Sequence, residues 1–429
     1  MAINMFNSNN QLPSKERQLT LDILYSSLKG RKLDKAFEEI VSVFENDPQV
    51  RLNQVYNLVY GVARRHFSIS SYINTKIKKP LPEKANLIIE IAIYELAYNR
   101  SSKNYAVISD ALKLADLLKL TKYKPVINAI LRRFDDDIEN SIKSISSQKQ
   151  VPEHLFNEIK KTFKDKSSVV MDKFLNPSPL FLSINTILIN KEDLLSILKE
   201  DDIEAEVITY NDYCAIKTSD SRIFETKEFK EGFFLIQDLS SQVAVDLLRP
   251  YSGMKMLDVC SAPGGKAISA AIKAKDMADI TAIDISTSRL FKVHENIKRM
   301  KIKSIKVLMA DFMEQEFDPE SFDRILIDPP CSSLGVMGRH PDVIWKKTEQ
   351  TIKDLSVIQL NILIRSMDLL KKGGRLVYSV CTFTQTETVD VINQALSVNM
   401  DFKKAGEFIY TIPNDLGMDG LFIAVLEKK

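Results

Sequence analysis

Residues 328–331 read Asp-Pro-Pro-Cys and follow the apolar run Arg-Ile-Leu-Ile. Fifty residues after Cys331, a second strand-like run, GGRLVYSVC, ends on Cys381. Two thiols are therefore delivered by the carboxyl ends of two strand patterns. Upstream, LDVCSAPGGKA at 257–267 reads as strand, glycine turn and helix. Gly264 and Gly265 let the backbone approach a ligand closely, and the N-terminus of the helix that follows favours a polar group. This is not the GxGxxG dinucleotide fingerprint. Acids recur at the strand ends: Asp258 near the end of the first, Asp284 in ITAIDIS, Asp311 in LMADF, and Asp328. Any one of them alone reads equally as a cap or turn acid. Four in succession describe a nucleoside-shaped pocket without a triphosphate cradle. Asp284 suits the two hydroxyls of a ribose. S-adenosylmethionine, whose adenosine carries no phosphate, fits that description.

A lone buried cysteine is most simply a small hydrophobe, and Cys214 and Cys260 are read so. Two thiols beside an adenosylmethionine pocket suit a particular chemistry. C5 of cytosine is a poor nucleophile. A thiolate adding at C6 makes a nucleophilic enamine at C5, which can take a methyl group. A second group must then remove the C5 proton so that the thiolate can leave. Asp328 is placed to stabilise the adduct at N3, and the base must be flipped or unstacked to reach the pocket. The spacing alone does not order the two thiols.

The elements that must position these residues follow from periodicity. From about residue 238 the pattern alternates helix and strand, which implies a Rossmann-like α/β domain with a mostly parallel sheet. Ligands of such sheets bind at the carboxyl ends of the strands. Residues 14–140 carry apolar residues at three- and four-residue spacing almost throughout and read as an all-helical domain, broken at Pro80 and Pro82. Residues 141–176 read as a Ser/Lys-rich linker and a bridging helix, and 177–236 as a small α/β piece. The expected domains are thus 1–140, 141–176, 177–236 and 237–429.

A chain of 429 residues exceeds one typical core. No run of about 18 apolar residues suggests a membrane span. The first residues lack the apolar region of a secretory signal. Four scattered cysteines form neither a disulfide framework nor the CxxC pairs of a zinc site. A cytoplasmic protein with reduced thiols, no metal and no membrane partner is expected. Residues 1–150 hold 23 Lys+Arg against 16 Asp+Glu, and the remainder 36 against 41. A basic front on a slightly acidic body suggests a polyanion partner. A solvated lysine-rich surface explains it equally.

CSAPGGK, DPPCSSLGV, RHPDVIW and LVYSVCTFTQTE resemble the successive motifs of RNA cytosine-5 methyltransferases of the RsmB/Sun/Fmu type. FKEGFFLIQDLSSQVAVDLL resembles the segment that precedes their cofactor loop. LVYGVARR and KPVINAILRRF are similar to the NusB-type helical domain at the front of these bacterial 16S rRNA enzymes. The resemblance covers nearly the whole chain. It implies transfer of a methyl group from S-adenosylmethionine to C5 of a cytosine in RNA, with 16S rRNA or a small-subunit assembly intermediate as partner; a monomer is expected, although the sequence leaves the oligomeric state open. It implies that Cys260, Ser261, Ala262, Pro263, Gly264, Gly265, Lys266 and Asp284 bind the cofactor, with Asp311 near the adenine and Asp328 between cofactor and base. It makes Cys381 the nucleophile and Cys331 the residue that assists product release. DNA cytosine-5 methyltransferases use the cysteine of a Pro-Cys pair, which here is Cys331, so the reverse assignment stays open.

The chain departs from the family pattern at Val380, where Thr is usual, at Thr388, where Asn follows the Glu, and at Ser261 and Pro329, where Ala is common. These swaps bear on hydrogen bonding around Cys381 and leave both thiols in place. Arg339, in the loop after Cys331, and Arg64, Arg65, Arg132 and Arg133 on the helical domain are candidate phosphate contacts, which position RNA without reading its sequence. Trp345 is read as a core anchor. The rival functions are the same chemistry on tRNA, a non-catalytic RNA-binding protein with a decayed methyltransferase domain, and a small-molecule methyltransferase.

Overall fold

The computed structural model describes residues 12–45, 47–99, 103–146, 150–412 and 416–429. They form two compact units, one running to Asn157 and including Arg339–Lys346, the other comprising Glu158–Gly338 and Lys347–Lys429.

The first unit is all-helical. Its helices include Lys15–Leu28, Leu33–Phe44, Leu52–Asn74, Glu83–Tyr98, Asn104–Leu117, Lys124–Asp136 and Ile138–Ser146. Their apolar faces meet in a core around Leu24, Val59, Ile69, Ile89, Leu131 and Phe134. Arg17 fastens three of these helices. Its guanidinium forks onto Glu95, with Nε and Nη2 each 2.6 Å from a carboxylate oxygen, and Nη1 lies 2.6 Å from Asp110. The Ser/Lys-rich tract read as linker begins as the helix Ile138–Ser146. Ile138, Ile142 and Ile145 recur at intervals of four and three and pack against the helical core, so the serines and lysines take the remaining faces.

The segment Arg339–Lys346, expected within 237–429, belongs to the helical unit. Asp342 accepts from the backbone N–H of Leu33 at 3.1 Å and so caps the helix Leu33–Phe44, whose own N-cap, Lys32, makes no side-chain bond. His340 Nδ1 lies 2.8 Å from Asp34, and Lys346 donates to the carbonyl of Arg31 at 3.0 Å. Trp345 packs against the helical core, its ring 5.1 Å from that of His66.

The second unit opens with a small antiparallel sheet of β1 (Leu180–Ile184), β2 (Ala205–Tyr210), β3 (Tyr213–Thr218) and β4 (Phe234–Ile236), in the order β2-β3-β1-β4. Leu194 and Leu198 of the helix Lys191–Glu200 pack with Leu182, Ile216 and Phe234. Cys214 on β3 is exposed, not the buried hydrophobe expected: on this strand Ala215 and Ile216 are the buried residues.

The larger sheet comprises β5 (Lys255–Val259), β6 (Asp279–Asp284), β7 (Ile305–Met309), β8 (Phe322–Ile327), β9 (Leu370–Val380), β10 (Phe402–Lys404), β11 (Ile409–Thr411) and β12 (Leu421–Lys428). The order is β10-β12-β9-β8-β5-β6-β7, with β11 also on β12. β9, β8, β5, β6 and β7 run parallel to one another, and β12 pairs antiparallel with β9. Met256, Leu257, Val259 and Ile325–Ile327 are buried whichever face they point to, as expected of parallel strands covered by helices on both sides. This order aligns the carboxyl ends of β7, β6, β5 and β8, and sets the end of β9 beside that of β8.

Candidate active site

β8 and β9 pair in parallel and deliver the two cysteines to the same edge, where Cys331 Sγ and Cys381 Sγ lie 3.3 Å apart. The loop after Cys331 turns back at Gly335, whose N–H donates to the carbonyl of Cys381 at 2.9 Å while its own carbonyl accepts from Gly420 N at 2.8 Å. A side chain at 335 has no room, since its Cβ would meet Gly420 O at 1.9 Å. The two thiols differ electrostatically. The two sulfurs share a hydrogen bond that either can donate; this bond, with Ser333 and the charge of Lys266, holds the Cys381 pKa below the ordinary thiol value against burial and the charge of Asp328. Cys331 is pushed up by that same hydrogen bond, by burial, and by the negative charges of Glu387 and Asp328.

Lys266, at the start of the helix Gly265–Lys273, reaches Asp328 with Nζ 2.5 Å from Oδ2. Burial disfavours its charge, but the Asp328 carboxylate more than offsets this and raises its pKa. Lys266, expected among the cofactor-loop residues, closes that loop and is tied to Asp328. Asp328 is anchored by its own N–H on Val259 O at 3.2 Å.

The loop 260–265 begins with Cys260 in the left-handed region at φ +60°. Burial and nearby Asp284, Asp328 and Asp258 push its thiol up to about 12, which leaves it inert. Gly264 has φ +91°, and a Cβ there would lie 2.9 Å from Val293. Asp284, buried at the end of β6, accepts from Ala262 N at 3.1 Å and Ser286 N at 2.9 Å. Arg289 reaches both Asp284 and the carbonyl of Ala262. Asp311, half-buried beyond β7, accepts from Met313 N at 2.8 Å. These groups fit S-adenosylmethionine: the edge offers carboxylates and backbone to hydroxyls and positive charge, and Arg289 is engaged with the loop itself. Among the described residues no three His, Cys, Asp or Glu are grouped to hold a metal, and no helix is long and apolar enough to cross a membrane.

Asp258 is fully buried, with Oδ2 bonded to Ser261 at 2.6 Å and Oδ1 unpartnered among the described residues. Burial, with smaller effects from Asp328 and Asp284, raises its pKa from 3.8 to about 7, against the lowering effects of Ser261 and Lys266. Between those two values the folded chain keeps a proton that the unfolded chain has lost, so stability falls as pH rises through that window. Asp258→Asn is expected to abolish this fall and to stabilise the protein at pH 8 by on the order of 3 kcal/mol. Melting curves from pH 4 to 8 on both proteins check it, and parallel slopes would refute it.

Glu387, known from the sequence only as the Glu that precedes Thr388, is wholly buried and joins the two cysteine loops. Oε1 accepts from Ser332 N at 2.7 Å and Gln359 Nε2 at 3.1 Å. Oε2 accepts from Ser332 Oγ at 2.5 Å, Thr384 Oγ1 at 2.8 Å and Thr382 Oγ1 at 3.3 Å. The available signal was an acid set among threonines, a run of hydroxyl donors able to satisfy a buried carboxyl. At the departure positions, Val380 is a buried strand residue, and Thr388 donates to Thr384 O at 2.7 Å and pairs with Tyr410 OH at 3.0 Å.

The candidate phosphate contacts belong to the helical unit. Arg64 is buried on Leu52–Asn74. Arg65 stacks at 4.0 Å over Tyr98. Arg132 and Arg133 are exposed on Lys124–Asp136, and Arg339 is half-buried in the segment that packs with the helical unit.

The model of the 16S rRNA methyltransferase RsmB/F family matches residues 245–427, and that of the NusB family matches 14–136. Ribosomal RNA small subunit methyltransferase B of Photorhabdus laumondii is 31% identical over 385 residues, covering 87% of this chain and 89% of the relative. The protein of the same name from Proteus mirabilis is 30% identical, covering 94% and 95%. The crystal structure of PH0851 shares the fold with a TM-score of 0.78 at 22% identity, over 97% of this chain and 99% of that one. Two thiols and four acids on one edge of a parallel sheet, in a chain whose residues 14–136 match the NusB family, go with these matches: the chain belongs to the RsmB family of ribosomal RNA small subunit methyltransferases.

Proposed function

We propose that this protein methylates C5 of a cytosine in 16S rRNA through a covalent bond between Cys381 and C6 of the base. The observation that carries the reading is the pair of thiols 3.3 Å apart beside the Lys266–Asp328 ion pair. S-adenosylmethionine, held by residues 260–266, Asp284 and Asp311, supplies the methyl group. Cys381, the thiol of lower pKa, adds to C6. Asp328 steadies the adduct at N3, and Lys266 holds Asp328 in place. Cys331 assists the closing step, in which a water molecule takes the C5 proton, that C–H electron pair re-forms the C5–C6 double bond, the C6–S bond breaks and Cys381 returns as the thiolate. Residues 1–140 serve as the RNA-docking domain, residues 177–236 help form the RNA groove, and residues 237–429 carry the chemistry.

The test is methyl transfer from labelled S-adenosylmethionine to unmodified 16S rRNA, alone and in small-subunit particles, with tRNA in parallel. Label is expected in 5-methylcytidine after hydrolysis of the rRNA. Label confined to tRNA would move the substrate, and label in another nucleoside would refute the chemistry.

A further inference from the structure

Each of the two reactive thiols is followed in the chain by a residue bonded to one buried side chain. Ser332, next to Cys331, gives Glu387 both its N–H and its hydroxyl, and Thr382, next to Cys381, gives it a hydroxyl. Ser332 and Thr382 also pair with each other at 2.7 Å. Gln359, from the helix Glu349–Leu369, bonds both Glu387 and the carbonyl of Pro330, which immediately precedes Cys331. Tyr378, on β9, donates to the carbonyl of Glu387 at 2.8 Å. No cation contacts this carboxyl among the described residues; Ser332, Gln359, Thr382 and Thr384 supply its donors. A buried carboxyl so surrounded is costly unless every donor stays in place, so it resists separation of the parts it joins.

We infer that Glu387 is a positioning residue that clips the Cys331 loop to the Cys381 loop and thereby keeps the two thiols in contact. The inference deepens the reading above and rests on it for its catalytic consequence. The clip itself concerns only the geometry of the free protein. Its side chain touches neither sulfur, so it acts through Ser332 and Thr382.

Glu387→Gln and Glu387→Ala separate the clip from its charge. Both remove the negative charge near Cys331. Glutamine keeps the shape, one acceptor oxygen for Ser332 N, and an amide able to donate to the hydroxyls. Alanine keeps none of these. The first readout is the pH midpoint for alkylation of Cys381 by iodoacetamide, followed by mass spectrometry without RNA or cofactor. Glu387→Ala is expected to shift the midpoint upward by about one pH unit, because the hydrogen bond from Cys331 is lost. Cys331→Ala is expected to do the same. Glu387→Gln is expected at or below the wild-type midpoint. The second readout is methyl transfer to rRNA: Glu387→Ala loses kcat by about a hundredfold with KM for rRNA unchanged, while Glu387→Gln stays within about threefold.

A folded Glu387→Ala protein with the wild-type midpoint overturns the clip, as does a Glu387→Gln protein impaired as much as Glu387→Ala. Should Glu387→Ala lose its cooperative melting transition, Ser332→Ala and Thr384→Val decide: an upward midpoint shift in either supports the clip, and wild-type midpoints in both refute it. If the wild-type protein methylates no RNA, the functional reading fails, while the alkylation midpoints still judge the clip.

Discussion

Cys381→Ala is expected to transfer no methyl group and to form no covalent complex with rRNA, whereas Cys331→Ala accumulates a protein–RNA band that survives denaturing electrophoresis. The asymmetry follows from what surrounds each sulfur. Cys381 shares a hydrogen bond with Cys331 and feels the charge of Lys266, so it holds the thiolate of the pair. Negative charge on Cys331 is opposed by its hydrogen bond to Cys381, by burial, by the charge of Cys381 and by Glu387, while Asp328 opposes negative charge on both sulfurs. The first thiol therefore adds to the base, and removing it costs on the order of 10⁴ or more in rate. Without the second, addition and methylation proceed but release stalls, so the intermediate is trapped. Gel mobility of labelled rRNA with each variant checks both halves. A band from Cys381→Ala and none from Cys331→Ala would exchange the roles. A band from neither, with full activity in both, would remove the thiols from the mechanism.

Arg17→Met is expected to destabilise the helical unit by about 3–5 kcal/mol, as for loss of one partner from a buried ion pair. The Glu95 side chain has no exposure, and both of its oxygens bond Arg17 at 2.6 Å. Burial alone would lower the arginine's pKa; Glu95 and Asp110 more than offset it and raise it. Methionine fills the volume but leaves the Glu95 carboxylate buried without a cation. The melting temperature of the transition that includes the helices should fall by about 10 °C. Replacing all three side chains by apolar ones of similar size should recover most of the loss, because the desolvation cost goes with the charges. A fall of only a degree or two in Arg17→Met would mean that the cluster is better hydrated than its burial indicates.

These two sites differ in how visible they are in the chain. The cysteines, the acids and the glycine turn stand out because strand period, turn chemistry and strand-end position are local properties, readable over ten residues. The helical front and the alternating α/β body were legible for the same reason. The Arg17–Glu95–Asp110 cluster was not, since its members lie 78 and 93 positions apart and each resembles an ordinary surface charge. The helix Ile138–Ser146 was hidden by its composition, although its three isoleucines keep the spacing of a buried face.

The sequence by itself determined which residues have reactive chemistry and that each closes a strand. It did not determine which strands are neighbours. That depends on crossovers that carry the chain from β7 back across β5 to β8, then through the helix Glu349–Leu369 to β9. Only this order sets Cys331 and Cys381, fifty residues apart, in contact. Glu387 shows the same limit more sharply. Its donors come from Ser332, Gln359, Thr382 and Thr384, and no period or motif links those positions. The physical reason is that a buried polar group is satisfied by whatever the tertiary fold brings within about 3 Å, and sequence distance does not enter that condition.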